Sequence, residues 1–250
     1  MWIDPWYPRC RGCRGVRGGS VERVFVDANI LYSRTVRDWL FALSTSEVQA
    51  FELFASEDVL AEVVYHFRRN NPSRSGGSVK ALVDQMRELV VMVSRYDCER
   101  ARTDYLGADP NDLHLHAAAK DGNCSILLTD DRELYAGLSE EQLDSMPYSV
   151  CTSDEFFCDL AESSAVLLDQ AVTCELRYWS GKHPDGGFDL AGQLAMAGCP
   201  RFGYLVKRAL MRKSGLGPSD ISRICPLDDS YPPAMRANDL DALASISTDF

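Results

Sequence analysis

Four carboxylates stand far apart in the chain, each at the edge of an apolar segment. Asp27 follows Val24-Phe25-Val26, Glu62 lies in Val59-Leu60-Ala61-Glu62-Val63, Asp112 lies in Asp109-Pro110-Asn111-Asp112-Leu113, and Asp131 closes Leu127-Leu128-Thr129-Asp130-Asp131. Brought together beside buried strands, four such groups repel one another and lose hydration, so a cation is needed to hold them. Ligands that are all oxygen select a hard ion, Mg²⁺ or Mn²⁺. A small amide, Asn29, sits two residues after the first acid.

The elements around these acids alternate. Val24–Val26 is β-branched and aromatic, as a strand buried on both faces should be, and a helix is expected from about Asn29 with Ile30, Leu31, Val36, Leu40 and Leu43 on one face. Phe51–Ala55 reads as a second strand. Ser56 to Asp58 offer caps for a helix that carries Glu62 near its first turns. A polar loop over residues 70–78 precedes a helix from Val79 to about Val93. Asn111 caps a helix through Ala117, Ala118 and Ala119, and Ile126–Thr129 and Tyr148–Cys151 are further strands.

Alternation of this kind predicts a mostly parallel sheet with helices on both faces. Ligands then gather at the carboxyl ends of the strands, where Asp27, Asp131 and the helix-opening Asp112 converge. Past residue 151 the pattern becomes helical. Thr152 and Glu155 form a capping box for a helix running toward Trp179, Asp189 starts another, and Phe202–Met211 gives a third. The organisation expected is a leader over residues 1–20, an α/β domain over 21–152, a helical extension over 153–214, and a Ser-, Pro- and Asp-rich tail over 215–250 without stable structure.

With 46% hydrophobic and 25% charged residues the balance is that of a globular protein. No apolar run reaches the roughly 20 residues that a membrane helix needs. Nine cysteines, an odd number at scattered spacing, make no disulfide framework, which places the chain in the reducing cytoplasm. A net charge of −11 excludes a generic nucleic-acid binder but not a nuclease that is acidic where it holds its ions. Arg68, Arg69 and Arg132 are candidate phosphate contacts.

Val-Asp27-Ala-Asn29-Ile-Leu, Leu60-Ala-Glu62-Val, Asp109-Pro-Asn-Asp112-Leu and Leu-Leu-Thr129-Asp130-Asp131 resemble, in order and spacing, the motifs of a PIN domain, and more narrowly the VapC-type ribonuclease toxins of bacterial toxin–antitoxin pairs. The resemblance covers residues 21–152. It implies a three-layer α/β/α fold with a C-terminal helical extension, and Mg²⁺- or Mn²⁺-dependent cleavage of RNA leaving a 5′-phosphate and a 3′-hydroxyl. It places Asp27, Glu62, Asp112 and Asp131 on the catalytic acids, with Asp27, Asp112 and Asp131 on the metal. Asn29 and Thr129 fall on positions that orient water or a phosphate oxygen.

Two acids stay ambiguous. Asp130 and Asp131 exchange under a one-residue shift, although Thr-x-Asp spacing favours Asp131, and Asp109 is either an outer carboxylate or a cap. The partners implied are an RNA substrate, an antitoxin protein and a second copy of the chain, with no membrane.

Other chemistries fit less well. Asp27-x-Asn29 lacks the second carboxylate of an aspartyl phosphatase. Cys10-Arg-Gly-Cys13 has no second pair to complete a zinc site. His114 and His116 are two apart and face different sides of a helix, so one is expected to pack and one to be exposed, and His66 is expected on a helix surface. The alternative to a nuclease is a non-catalytic PIN-fold module that binds RNA or protein.

Overall fold

A computed structural model describes residues 21–227 of the chain; residues 1–20 and 228–250, which carry the expected leader and most of the expected tail, lie outside the described residues. Five short strands, β1 (Glu22–Val26), β2 (Phe51–Ala55), β3 (Val91–Met92), β4 (Ile126–Leu128) and β5 (Ser149–Cys151), form one sheet in the order β3-β2-β1-β4-β5. Every pairing is parallel, with Val26 opposite Leu128 and Leu128 opposite Cys151. Val24, Phe25, Val26, Leu127 and Leu128 have no exposed surface, whichever face they point to, because helices cover both sides. The fold is the three-layer α/β/α arrangement, extended by further helices.

The order places a topological switch between β1 and β4. The chain leaves β1 toward β2 on one side and β4 toward β5 on the other, opening a crevice at the carboxyl ends of the central strands. Into that crevice come α1 (Ala28–Tyr32), α3 (Glu57–Asn70) and α6 (Leu113–Asp121), each starting at or near a predicted acid. Ser56 caps α3 by accepting the Val59 N–H at 3.3 Å.

Helix boundaries differ from the sequence reading where a serine breaks a long apolar periodicity. The single helix expected from Asn29 is α1 and α2 (Arg34–Ser44), parted at Ser33, whose ψ of 112° is extended. The helix expected from Thr152 toward Trp179 is α8 (Ser153–Ser163) and α9 (Ala165–Lys182), parted at Ser164, whose side chain accepts the Leu167 N–H and caps the second piece. The helix expected to reach Val93 is α4 (Gly76–Leu89), after which the chain becomes β3. Short helices α5 (Cys98–Ala101) and α7 (Glu140–Asp144) complete the α/β body.

The extension adds α10 (Leu190–Met196), α11 (Pro200–Lys213) and α12 (Pro218–Ile224). The last lies within the segment expected to lack structure from residue 215, and its Ile221 is 2% exposed. Burial of one apolar face outweighs the low-complexity composition there. Gly203 lets α11 approach α10 closely, since a Cβ at that position would fall 2.7 Å from the Ala191 carbonyl oxygen.

The extension packs into the core of the α/β body, not beside it. Trp39 of α2 meets Phe202 of α11 edge-on at 5.3 Å, and Phe51 of β2 meets Phe156 of α8 at 5.2 Å, all within one continuous cluster. Asp154, 9% exposed, accepts the Phe202 and Arg201 N–H groups at 2.8 and 3.3 Å, placing a carboxylate on the α11 N-terminus. Among the described residues no helix is long and apolar enough to cross a membrane.

Candidate active site

Asp27 ends β1 and caps α1, so its carboxylate stands at the switch point, 6% exposed. One oxygen, Oδ1, accepts the Ala28 N–H at 2.5 Å; Oδ2 accepts from Asn29 Nδ2 at 2.6 Å and from Thr129 Oγ1 at 2.7 Å. Oδ2 is thus saturated, whereas Oδ1 keeps a free lone pair. Thr129 is itself fixed, accepting from Asn29 Nδ2 and from the Asp131 N–H, each at 3.1 Å. Asn29 Oδ1 in turn accepts the Asp130 N–H at 3.2 Å. Asp27, Asn29 and Thr129 form one polar unit stitching the ends of β1 and β4.

Burial pushes the Asp27 carboxyl above its usual range against these hydrogen bonds, and the charge of Asp131 adds to the rise. Glu62, half-buried on α3, is pushed up to about 7 by desolvation and then by Asp27, Asp112 and Asp58. Asp112, where a 3₁₀ turn over Pro110–Asp112 meets α6, is pushed up to about 6 by desolvation and then by Asp109, Asp27 and Asp131. The four predicted acids therefore share one electrostatic neighbourhood. Among the described residues no Lys or Arg forms an ion pair with any of them.

The adjacent aspartates part company. Asp131 turns toward Asp27 and Asp112, and its Oδ1 accepts the Glu133 N–H at 2.8 Å. Asp130 turns the other way, and its carboxylate accepts from the Ser153 N–H and Oγ at 2.8 Å, binding the start of α8. Asp109 caps the 3₁₀ turn by accepting the Asn111 N–H at 2.9 Å, while its charge still reaches Asp112.

Of the two histidines expected to divide between core and solvent neither is exposed, and His114 stands beside Glu62, a placement the sequence reading did not assign. The His114 side chain is 14% exposed, with Nε2 3.2 Å from Glu62 Oε1 but out of line for a hydrogen bond, and that buried nitrogen has no other partner. Desolvation holds its pKa below the usual value, against the charges of Asp58 and Asp27. A histidine in the first turn of the helix that Asp112 opens was the available signal. His116 is the packed one, joined through Nδ1 to Tyr148 Oη at 2.7 Å, with Tyr148 in turn 2.8 Å from Tyr135 Oη. His66 is exposed on α3, between Tyr32 and Tyr65. Arg68 donates to the Arg74 carbonyl at 2.6 Å.

The donors fit a hard divalent ion in chemistry, being carboxylate oxygens without an ion-paired Lys or Arg among the described residues. Among the described residues no three such side chains already stand close enough to hold an ion as placed.

These features define a three-layer α/β fold with acids at the carboxyl edge of a parallel sheet. The family model described as PIN domain matches residues 23–133, a stretch that begins in β1 and includes all four acids. No curated protein and no solved structure matches the chain.

Proposed function

We propose that the chain is a Mg²⁺- or Mn²⁺-dependent endoribonuclease acting as the toxin of a type II toxin–antitoxin pair. The observation that supports the nuclease reading is that Asp27, Glu62, Asp112 and Asp131, carried by separate elements, act on one another through their charges, with no Lys or Arg ion-paired to them among the described residues. The toxin reading rests on the resemblance of the motifs to VapC-type proteins. Asp27, Asp112 and Asp131 would hold the ion, which when bound lowers the pKa of a water and offsets charge on the scissile phosphate.

The chain's own residues do the rest. Asn29 and Thr129 pin Asp27 Oδ2 and leave Oδ1 with a single donor, the Ala28 N–H. Glu62 accepts the proton of the attacking water. In-line attack on phosphorus then expels the 3′ oxygen of the upstream nucleotide, which takes up a proton from solvent and leaves as a hydroxyl, and the water oxygen stays on the 5′-phosphate. The protein works where it lies, with an RNA strand laid across the carboxyl edge of the sheet.

The second reading is a non-catalytic module of the same fold that binds RNA or protein. Incubation of a total RNA pool with the protein in Mg²⁺, Mn²⁺ or EDTA separates the two. Cleavage with either ion that stops in EDTA and in Asp27→Asn supports the nuclease; intact RNA retained on the protein supports the module.

A further inference from the structure

Away from the acids, a cavity of about 510 Å³ opens between α2 of the α/β body and α9 and α10 of the extension. That volume lies in the range of small-molecule sites. Trp39, Trp179 and Phe188 supply aromatic wall, and Trp179 stacks on His183 at 5.6 Å and 19°. Glu175 of α9 also lines the cavity and is 6% exposed. Its Oε2 accepts the Trp179 indole N–H at 3.1 Å, and among the described residues nothing donates to Oε1 and no cation pairs with the carboxylate.

The other charges around the cavity are already engaged. Asp38 lies 3.5 Å from Arg34 and 3.6 Å from Arg37, and Asp189 accepts the Gly192 N–H at 2.9 Å. Arg34, its side chain 58% exposed, donates to Tyr178 Oη at 3.3 Å and lies 5.6 Å from the centroid of the Trp179 ring, and Lys182 sits 4.7 Å over the Tyr178 ring. The desolvated group without an ion-pair partner is therefore an acid, and it stands among π faces that attract cations. Desolvation, then Asp38, pushes the Glu175 carboxyl up to about 7, against the Trp179 hydrogen bond and the charge of Arg34.

We propose that this cavity binds a small organic monocation with a flat apolar body, an amidinium, guanidinium or aromatic amine whose N–H groups meet Glu175 while the body lies against Trp39, Trp179 and Phe188. The aromatic walls and a single buried acid suit one positive charge on a planar frame; a polyamine would leave its further charges against apolar wall. Nothing in this assignment depends on the acids at the sheet edge.

Three probes of one shape test it by calorimetry on the full chain, with tryptophan fluorescence in parallel: benzamidine, neutral benzamide and anionic benzoate, each titrated to roughly 10 mM because ligands of so few atoms bind weakly. Benzamidine is expected to bind at least about tenfold more tightly than the other two, and Glu175→Gln to bring it down to the level of benzamide, as loss of a charge-assisted hydrogen bond requires. Glu175→Gln keeps the side-chain shape and removes only the buried charge. Benzoate binding as tightly as benzamidine, an unchanged preference in Glu175→Gln, or no binding of any probe would each overturn the proposal.

Discussion

Asp130→Ala and Asp131→Ala change neighbouring residues of the same type and should have opposite consequences. Asp130 accepts both the N–H and the hydroxyl of Ser153 at 2.8 Å, and Ser153 has no exposed surface. Removing the carboxylate strands a buried amide donor at the start of α8; the hydroxyl keeps a contact with Cys199 Sγ at 3.1 Å. Hydrogen bonds to a charged group are worth about 1.5–3 kcal/mol each, and part exposure of Asp130 and water entry reduce the sum, so a loss of about 2–4 kcal/mol is expected. For a chain of this size that lowers Tm by roughly 5–15 °C. Asp131 bonds only locally, to the Glu133 N–H, so its loss should cost under about 1 kcal/mol. Urea denaturation followed in the far-UV and by tryptophan emission measures both, and RNA cleavage at a temperature where each variant is folded measures the chemistry. Asp130→Ala should be destabilised but active, and Asp131→Ala stable but inactive. The reverse pattern would refute the assignment of the two side chains.

Thr129→Val leaves Asp27 Oδ2 short of a donor in a site that is 2% exposed at Thr129, so unfolding free energy should fall by about 1–3 kcal/mol, with Thr129→Ser recovering most of it. Glu175→Gln should change the pH dependence of stability. The folded carboxyl stands at about 7 against an ordinary 4.5, so between those values the folded chain holds a proton that the unfolded chain releases. Wild-type stability is therefore full below pH 4.5 and falls as pH rises toward 7, and above pH 7 the variant should be more stable by about 1–3 kcal/mol, seen as a flatter curve of denaturation midpoint against pH. Phe202→Ala removes a ring with no exposed surface that touches both Trp39 and Phe157, and should cost about 3–5 kcal/mol. Because the extension and the α/β body share that core, calorimetry should show one transition for the variant as for the wild type.

Strand and helix types were legible because apolar runs of three to five residues alternated with amphipathic stretches, and the acids were legible because each sat beside such a run. Helix breaks at Ser33 and Ser164 were not, since the apolar spacing continues through both and only the backbone turn separates the pieces. The parting of Asp130 from Asp131 could be favoured by Thr-x-Asp spacing, yet its reason, the capping of α8 by Asp130, is a contact across 23 residues. The place of His114 beside Glu62 was not legible because its two-residue offset from His116 argued only against a shared zinc site. The cavity around Glu175 is built from α2, α9 and α10 together, and tertiary packing of that kind leaves no local pattern. The helix over Pro218–Ile224 was hidden by a Ser- and Asp-rich composition that one buried isoleucine overrides.

A nuclease offered the wrong RNA is silent, but the ion it needs does not depend on the target. Manganese binding followed by electron paramagnetic resonance on the wild type and on Asp27→Asn therefore addresses the acid site directly. At least one Mn²⁺ per wild-type chain is expected, displaced by excess Mg²⁺ and weakened at least about tenfold in Asp27→Asn, as loss of a charged ligand requires. Equal binding by the two proteins, or none by either, would contradict a metal-dependent centre at the carboxyl edge of this sheet.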